Sequence, residues 1–214
     1  MHWSFLDRCC ALAGRMVAPS RCGACDEVLP RETLLCATCA SSVERWNGNG
    51  QPFAFGAYGG ALASVLLRLK YGGRPDLGPK LGLLLAGSLV GLGRGIEAEV
   101  VVPVPVPRSR LIERGFNQAS LIAGPVARVL GAKFAPLALR RQEGGTRQAA
   151  LQRKERLENL RGAYSVREAS AIAGKAVLLV DDVSTTGATL ASCAEAIALA
   201  GPRCVTTAVV ARVE

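Results

Sequence analysis

The 214-residue sequence contains one histidine, His2, at a terminus expected to fray. A Ser-His-Asp triad and a multi-histidine metal centre are thereby excluded, and any chemistry must run without imidazole. Aromatic residues make up 5% of the chain, thin for a platform on which successive bases stack. Long apolar runs are also missing. Leu81 to Leu92 is too short for a bilayer, and its glycines Gly82, Gly87 and Gly91 fit a buried helix better. Near the start, Asp7, Arg8 and Arg15 break the apolar residues before a signal-peptide core can form, so a cytoplasmic location is the expectation. Two common phosphate loops are lacking as well, since no GxGxxG joins a strand to a helix and Ala188, not Lys, follows Gly187.

What is present is a chain half apolar, enough to bury a sizeable core, with a formal net charge of +9. Such a balance suggests anionic company, whether phosphorylated metabolites, nucleic acid or a membrane surface. The basic residues are 21 Arg and five Lys, a bias that suits forked phosphate recognition and is equally the mark of a GC-rich genome.

The polar run Trp46 to Pro52 follows every paired cysteine and divides the chain, giving an N-terminal module at 1–50 and a larger domain at 51–214. In the larger part, a strand is expected near Ala54 to Tyr58 and helices near Ala61 to Lys70 and from about Leu77. A buried strand follows over Val100 to Val106, then a loop leading to a helix over Asn117 to Leu130. Arg140 to Arg161 carries six Arg and one Lys against three Glu and reads as a mobile basic loop entering a helix. A buried strand from Lys175, a polar turn, a small-residue helix stopped by Gly201 and Pro202, and a strand over Val205 to Val210 complete the pattern. Alternating strands and helices imply an α/β fold with a Rossmann-like, mostly parallel sheet covered on both faces.

Two CxxC pairs, Cys22/Cys25 and Cys36/Cys39, are separated by ten residues. Each pair can wrap two thiolates around one ion on a tight turn, and the intervening residues can fold back as a hairpin to complete a tetrahedral site. With no usable histidine the ligand set is four sulfurs, a closed structural zinc site. Disulfides, a redox CxxC and an iron–sulfur cluster are the alternatives; the first needs an oxidising compartment and the second needs only one pair. Cys9 and Cys10 read as buried thiols on a helix, and Cys193 and Cys204 as inert residues in core-like helix and strand settings.

The segment from Val177 to Leu190, VLLVDDVSTTGATL, carries the other constellation. A buried strand delivers Asp181 and Asp182 directly into a turn of Ser184, Thr185, Thr186 and Gly187, where a helix begins. Free helix N–H groups, hydroxyl donors and the positive dipole end suit a phosphate. The acids precede the turn, too early to touch that phosphate without repulsion, and are better placed for hydroxyls of a sugar carrying it. Two acids and three hydroxyls exceed what a capped helix start requires. No structural partner for the acid pair is evident in the sequence.

This segment resembles the loop of type I phosphoribosyltransferases that binds 5-phosphoribosyl 1-pyrophosphate (PRPP). Together with LKYGGRPDLG at Leu69 to Gly78, VPVPVPRSRLIERGFNQA at Val102 to Ala119, LQRKERLENLRGAY at Leu151 to Tyr164 and the double-cysteine ribbon, the chain resembles the ComF (ComFC) family, linked to DNA uptake in natural competence. The resemblance implies that Asp181 and Asp182 bind the ribose 2′ and 3′ hydroxyls. It places Ser184, Thr185, Thr186, Gly187, Ala188 and Thr189 around the 5-phosphate. The turn Pro105 to Arg108 would face the pyrophosphate and its magnesium ion, with Arg108, Arg110 and Arg114 the nearest cations. Asn117 reads equally as a helix cap. The family's basic loop has Thr and Gln separated by two residues, whereas one residue separates Thr146 from Gln148 here, which leaves both without a firm role. The activity implied is phosphoribosyl transfer; the alternative is a non-catalytic module that senses a phosphoribosyl ligand and engages single-stranded DNA or a DNA-processing protein.

Overall fold

The computed structural model describes residues 19–48, 50–91, 96–142 and 162–213. The described elements are helix α1 (Ala37–Ser41), strand β1 (Phe53–Ala57), α2 (Gly60–Tyr71), α3 (Leu77–Gly91), β2 (Val100–Pro103), α4 (Arg108–Arg114), α5 (Gln118–Leu130), β3 (Lys133–Phe134), β4 (Leu139–Arg141), β5 (Tyr164–Val166), β6 (Ala176–Ser184), α6 (Ala188–Ala198) and β7 (Cys204–Arg212). Five strands form a parallel sheet in the order β1-β7-β6-β2-β3. The central strands β2 and β6 are continuous apolar runs because both their faces are covered. Val101, Leu178 and Val180 meet Leu66, Leu81 and Ile122 on one side. Val100, Val102, Val177 and Leu179 meet Leu190, Cys193 and Ile197 on the other. This period-two alternation assigns α2, α3 and α5 to one layer and α6 to the opposite layer. Gly78 and Gly82 let α3 approach α5 closely, since a Cβ at Gly82 would collide with the Ile122 carbonyl.

From β2 the chain passes through α5 to β3 on one side, and from β6 it passes through α6 to β7 on the other. The winding direction therefore reverses between β2 and β6. In open α/β sheets that reversal opens a crevice outside the carboxyl ends of the two strands, the usual position for a ligand.

Several sequence expectations are revised. The segment read as a loop after β2 contains α4, closed by Gly115 in the left-handed region at φ 79. β6 does not release the chain after Asp181 and Asp182 but runs to Ser184, because β7 keeps pairing with it as far as Arg212. α3 is half exposed, with Leu83 and Val90 open to solvent. Cys193 is buried as expected, and burial pushes its thiol pKa up. Cys204, at the outer end of β7, is exposed instead. Arg140 and Arg141 belong to β4, which pairs antiparallel with β5. The rest of the basic segment, with Thr146, Gln148, Arg153, Arg156 and Arg161, lies outside the described residues, as do Cys9 and Cys10.

Candidate functional site

The four cysteines converge. Their sulfur atoms all lie within 4.8 Å of one another, and Cys25 Sγ is 3.8 Å from Cys36 Sγ. Zn–S bonds of about 2.3 Å in a tetrahedron require an S···S edge of about 3.8 Å, so the spacing fits one ion. Cys22 and Cys36 are buried, Cys39 is half-buried and Cys25 is exposed. Burial works against the Cys22 thiolate, but backbone groups of Cys25, Cys36 and Ala24 and the Cys25 thiol bring its pKa down to about 6. Burial and the neighbouring thiols of Cys25, Cys36 and Cys22 push Cys39 up. Thiols that share protons this closely form a set ready to exchange them for a cation. The ribbon is tied to the larger unit through Asp26, 3.1 Å from Arg68 and 3.6 Å from Arg74, and through Leu34, which joins the same core as Leu77.

At the carboxyl end of β6, Ser184 is buried while Thr185 and Thr186 are exposed. Gly187 is the N-cap of α6 at φ 76, a conformation that favours glycine. Gly187 itself offers no capping side chain, and Thr186 Oγ1 accepts a long hydrogen bond from the Ala188 amide at 3.4 Å. The first amides of α6 thus face the turn with hydroxyls beside them, an arrangement suited to an anion.

Asp181 and Asp182 are both buried, and strand geometry sends them to opposite faces of the sheet. Asp181 extends the row of Val177 and Leu179, and Asp182 the row of Leu178 and Val180. The pair does have a partner, contrary to the sequence expectation: Lys70 Nζ on α2 lies 2.7 Å from Asp182 Oδ2. Asp181 Oδ1 accepts a hydrogen bond from the Asp182 amide at 2.8 Å, and Asp182 Oδ1 accepts one from the Val183 amide at 2.9 Å. Burial, reinforced by the Asp182 charge, pushes the Asp181 pKa well above the ordinary carboxylate range.

The turn after β2 forms one wall of a cavity of ≈ 760 Å³ that also includes Arg108, Arg140, Arg141 and Arg167. Neither the acids nor the Ser184 to Ala188 turn lines this cavity. A smaller cavity, ≈ 340 Å³, is lined by Ser184, Thr185, Thr186, Gly187 and Ala188 together with Gln51, Thr207 and Arg212. Arg114 stands apart from both: its Nη1 donates to Gln118 Oε1 at 3.0 Å and its guanidinium covers the Tyr71 ring at 5.0 Å. Arg110 pairs with Glu113 at 2.7 Å. Asn117 is a true cap, accepting from the Ala119 amide at 2.9 Å while its Nδ2 donates to the Val104 carbonyl at 3.0 Å.

Sequence reasoning missed Lys70, although the LKYGG stretch had been singled out, and it missed Arg212, for which no local signal exists.

The winding of the sheet, the turn that ends its central strand and the four-cysteine cluster have the form of a type I phosphoribosyltransferase fold bearing a ribbon. The phosphoribosyl transferase domain family matches residues 117–214. The chain is 26% identical over 197 residues to the DNA utilization protein YhgH of Salmonella typhimurium, covering 91% of this chain and 84% of that one. It is 28% identical over 173 residues to Competence protein F of Haemophilus influenzae, covering 79% and 74%. A solved structure of the allosteric regulatory enzyme of purine biosynthesis is similar at a TM-score of 0.43 and 22% identity, over 67% of this chain and 29% of that one, too weak a likeness to bear on function. The matched domain and the relatives make the chain similar to phosphoribosyl transferase domains and to proteins named for DNA utilization and competence. Among the described residues, no helix is long and apolar enough to cross a membrane.

Proposed function

We propose that this chain binds PRPP, or a related ribose 5-phosphate, with magnesium in the crevice between β2 and β6, and that it transfers the phosphoribosyl group. The observation that carries this reading is the start of α6 at Gly187, beside hydroxyls and acids, at the reversal point of the sheet. In this assignment the 5-phosphate sits on Ser184, Thr185, Thr186, Gly187, Ala188 and Thr189, and Asp181 and Asp182 serve the sugar hydroxyls. The Pro105 to Arg108 turn faces the pyrophosphate, with Arg108 its nearest cation and Arg114 acting behind it by holding α4 against α5. Magnesium prefers oxygen ligands, which the pyrophosphate would supply at the Pro105 to Arg108 turn; bound there, it would neutralise charge on the leaving group.

Displacement of pyrophosphate from C1 needs no protein nucleophile, which suits a chain whose one histidine is His2. Positioning and charge stabilisation carry such a reaction through its oxocarbenium-like state. The four cysteines hold zinc as a structural ion, in an N-terminal module over residues 1–50 attached to a phosphoribosyltransferase-like domain over 51–214.

Incubation with PRPP, magnesium and a panel of nucleobases tests the reading: pyrophosphate release supports transfer. Binding of PRPP without release under every acceptor would favour the second reading, a phosphoribosyl sensor in a DNA-processing setting. The names of the relatives, a DNA utilization protein and a competence protein, favour that setting. Salt-dependent binding of single-stranded DNA by the purified chain is its direct measurement.

A further inference from the structure

We propose that Arg212, braced on Trp46, is a further phosphate-binding residue that grips the 5-phosphate from the side opposite the α6 amides. The inference rests on the phosphoribosyl reading above and adds to it a specificity-determining cation outside the loop. Arg212 ends β7 and lies in register with Ser184, the residue that opens the phosphate turn. The Val213 amide donates to the Ser184 carbonyl at 2.9 Å, so the end of β7 is fixed to the root of that turn. The guanidinium lies 5.0 Å from the centroid of the Trp46 ring and, among the described residues, forms no ion pair with any acid. Arg212 lines the ≈ 340 Å³ cavity with Thr185, Thr186 and Gly187.

A half-buried arginine with no carboxylate partner, stacked on an indole and facing a turn of hydroxyls and free amides, has the form of a pre-oriented phosphate fork. The stack supplies orientation at the point where a flexible side chain would otherwise lose entropy on binding. Trp46 itself is placed by the backbone, its amide donating to the Phe55 carbonyl of β1 at 3.4 Å. The stretch that leads out of the cysteine ribbon thus positions a residue of the phosphate cavity.

The test uses the full chain carrying Trp3→Phe, which leaves Trp46 as its one tryptophan. Ribose 5-phosphate and, separately, inorganic phosphate are titrated by calorimetry and by Trp46 emission. Arg212→Met should weaken ribose 5-phosphate roughly tenfold to a hundredfold, the range expected for a hydrogen bond to a charged group. Arg212→Lys, which keeps charge and stem but not the fork, should weaken it several-fold, and Trp46→Leu less again. Arg203→Met is the control for net charge; Arg203 pairs with Glu97 and Glu99, away from the cavity, and its loss should leave the affinity unchanged. Ligand should shift Trp46 emission in the parent and not in Arg212→Met. Should Arg212→Met not fold, Arg212→Lys and the emission of the parent decide the matter. A parent that binds ribose 5-phosphate as well as its two Arg212 variants do overturns the role of Arg212 alone. A parent that binds neither ribose 5-phosphate nor PRPP overturns the phosphoribosyl reading, and this inference with it.

Discussion

The cysteine ribbon and the β6–α6 turn each gather polar groups for a charge of the opposite sign, but they do so by different means. The ribbon brings four side chains together through two tight turns close in sequence. Its hydrogen bonds are local, such as the Cys36 amide donating to Cys22 Sγ at 3.3 Å and the Cys22 amide to the Glu27 carbonyl at 2.8 Å. The turn relies on backbone amides, which are available only because β6 is held between β2 and β7 and Gly187 starts α6 without a capping side chain of its own. Four soft sulfur ligands gathered by local turns suit the ribbon to a metal ion. The second site owes its specificity to elements far apart in sequence: Lys70 from α2, the turn after β2, and the end of β7. A spacing motif therefore points to the ribbon's four-sulfur cluster, while the proposed phosphate site depends on the whole sheet.

Removing one ribbon ligand should produce the largest effect. Structural zinc contributes about 10–16 kcal/mol of apparent binding energy that is coupled to folding. Elemental analysis should find one zinc per chain, and Cys22→Ser should abolish it and let ribbon amides exchange at near-random-coil rates. Because Leu34 and Asp26 tie the ribbon to α2 and α3, the rest of the chain should also melt at lower temperature. A variant that keeps its zinc, or loses it with no change in amide exchange, would break the comparison at its first term.

Next in size is Asp182→Asn. It removes one partner of the ion pair with Lys70 and leaves a cation in a mostly buried place. Loss of one member of a buried pair costs about 3–5 kcal/mol, and the lower end applies here because Lys70 retains access to water. A denaturant midpoint measured for Asp182→Asn, Lys70→Met and the double variant gives the coupling energy directly. Additive losses would mean that the pair does not work as a pair.

Ligand stabilisation should be slightly smaller. PRPP with magnesium at a hundred times its Kd should raise the stability by about 2.7 kcal/mol. A melting curve that does not move would leave the β6–α6 turn as an ordinary helix start. In that case the contrast between a metal site and an anion site would collapse.

The parts of this molecule legible in its sequence are those in which local pattern and final environment agree. The apolar runs of β2 and β6 announced burial on both faces, and the CxxC spacing announced a sulfur cluster. α4 was not legible, because RSRLIER follows alternating prolines and none of its residues is buried, so no apolar stripe marks it as a helix. β3, β4 and β5 are two or three residues long, too short to show a period. Cys204 reads as core from its apolar neighbours, yet it sits where β7 begins and the sheet ends. The turn residues are read directly from the sequence; Lys70 and Arg212 are not, because proximity to Asp182 and Ser184 is a property of the sheet order.

The smallest effect separates the two adjacent carboxylates. Asp181 is pressed into the apolar layer of Leu179, Leu190 and Cys193, and burial together with the Asp182 charge raises its pKa. A folded-state pKa above the unfolded value means that the group contributes stability below the unfolded pKa, and that this contribution is lost as pH rises through the folded value. Asp181→Asn keeps the oxygen that accepts the Asp182 amide and removes the titration. The unliganded variant should therefore match the wild type near pH 4 and become the more stable of the two as the pH rises to 7, by less than the loss seen in Asp182→Asn. Its response to PRPP and magnesium should shrink over the same range, since a neutral amide makes weaker hydrogen bonds to sugar hydroxyls than a carboxylate does. Melting curves at several pH values, with and without PRPP, read both quantities from one set of samples. A gain in unliganded stability with an undiminished ligand response would make Asp181 a core residue and leave the sugar to Asp182 alone. A loss of stability at pH 7 would show that Asp181 is held ionised in the folded chain.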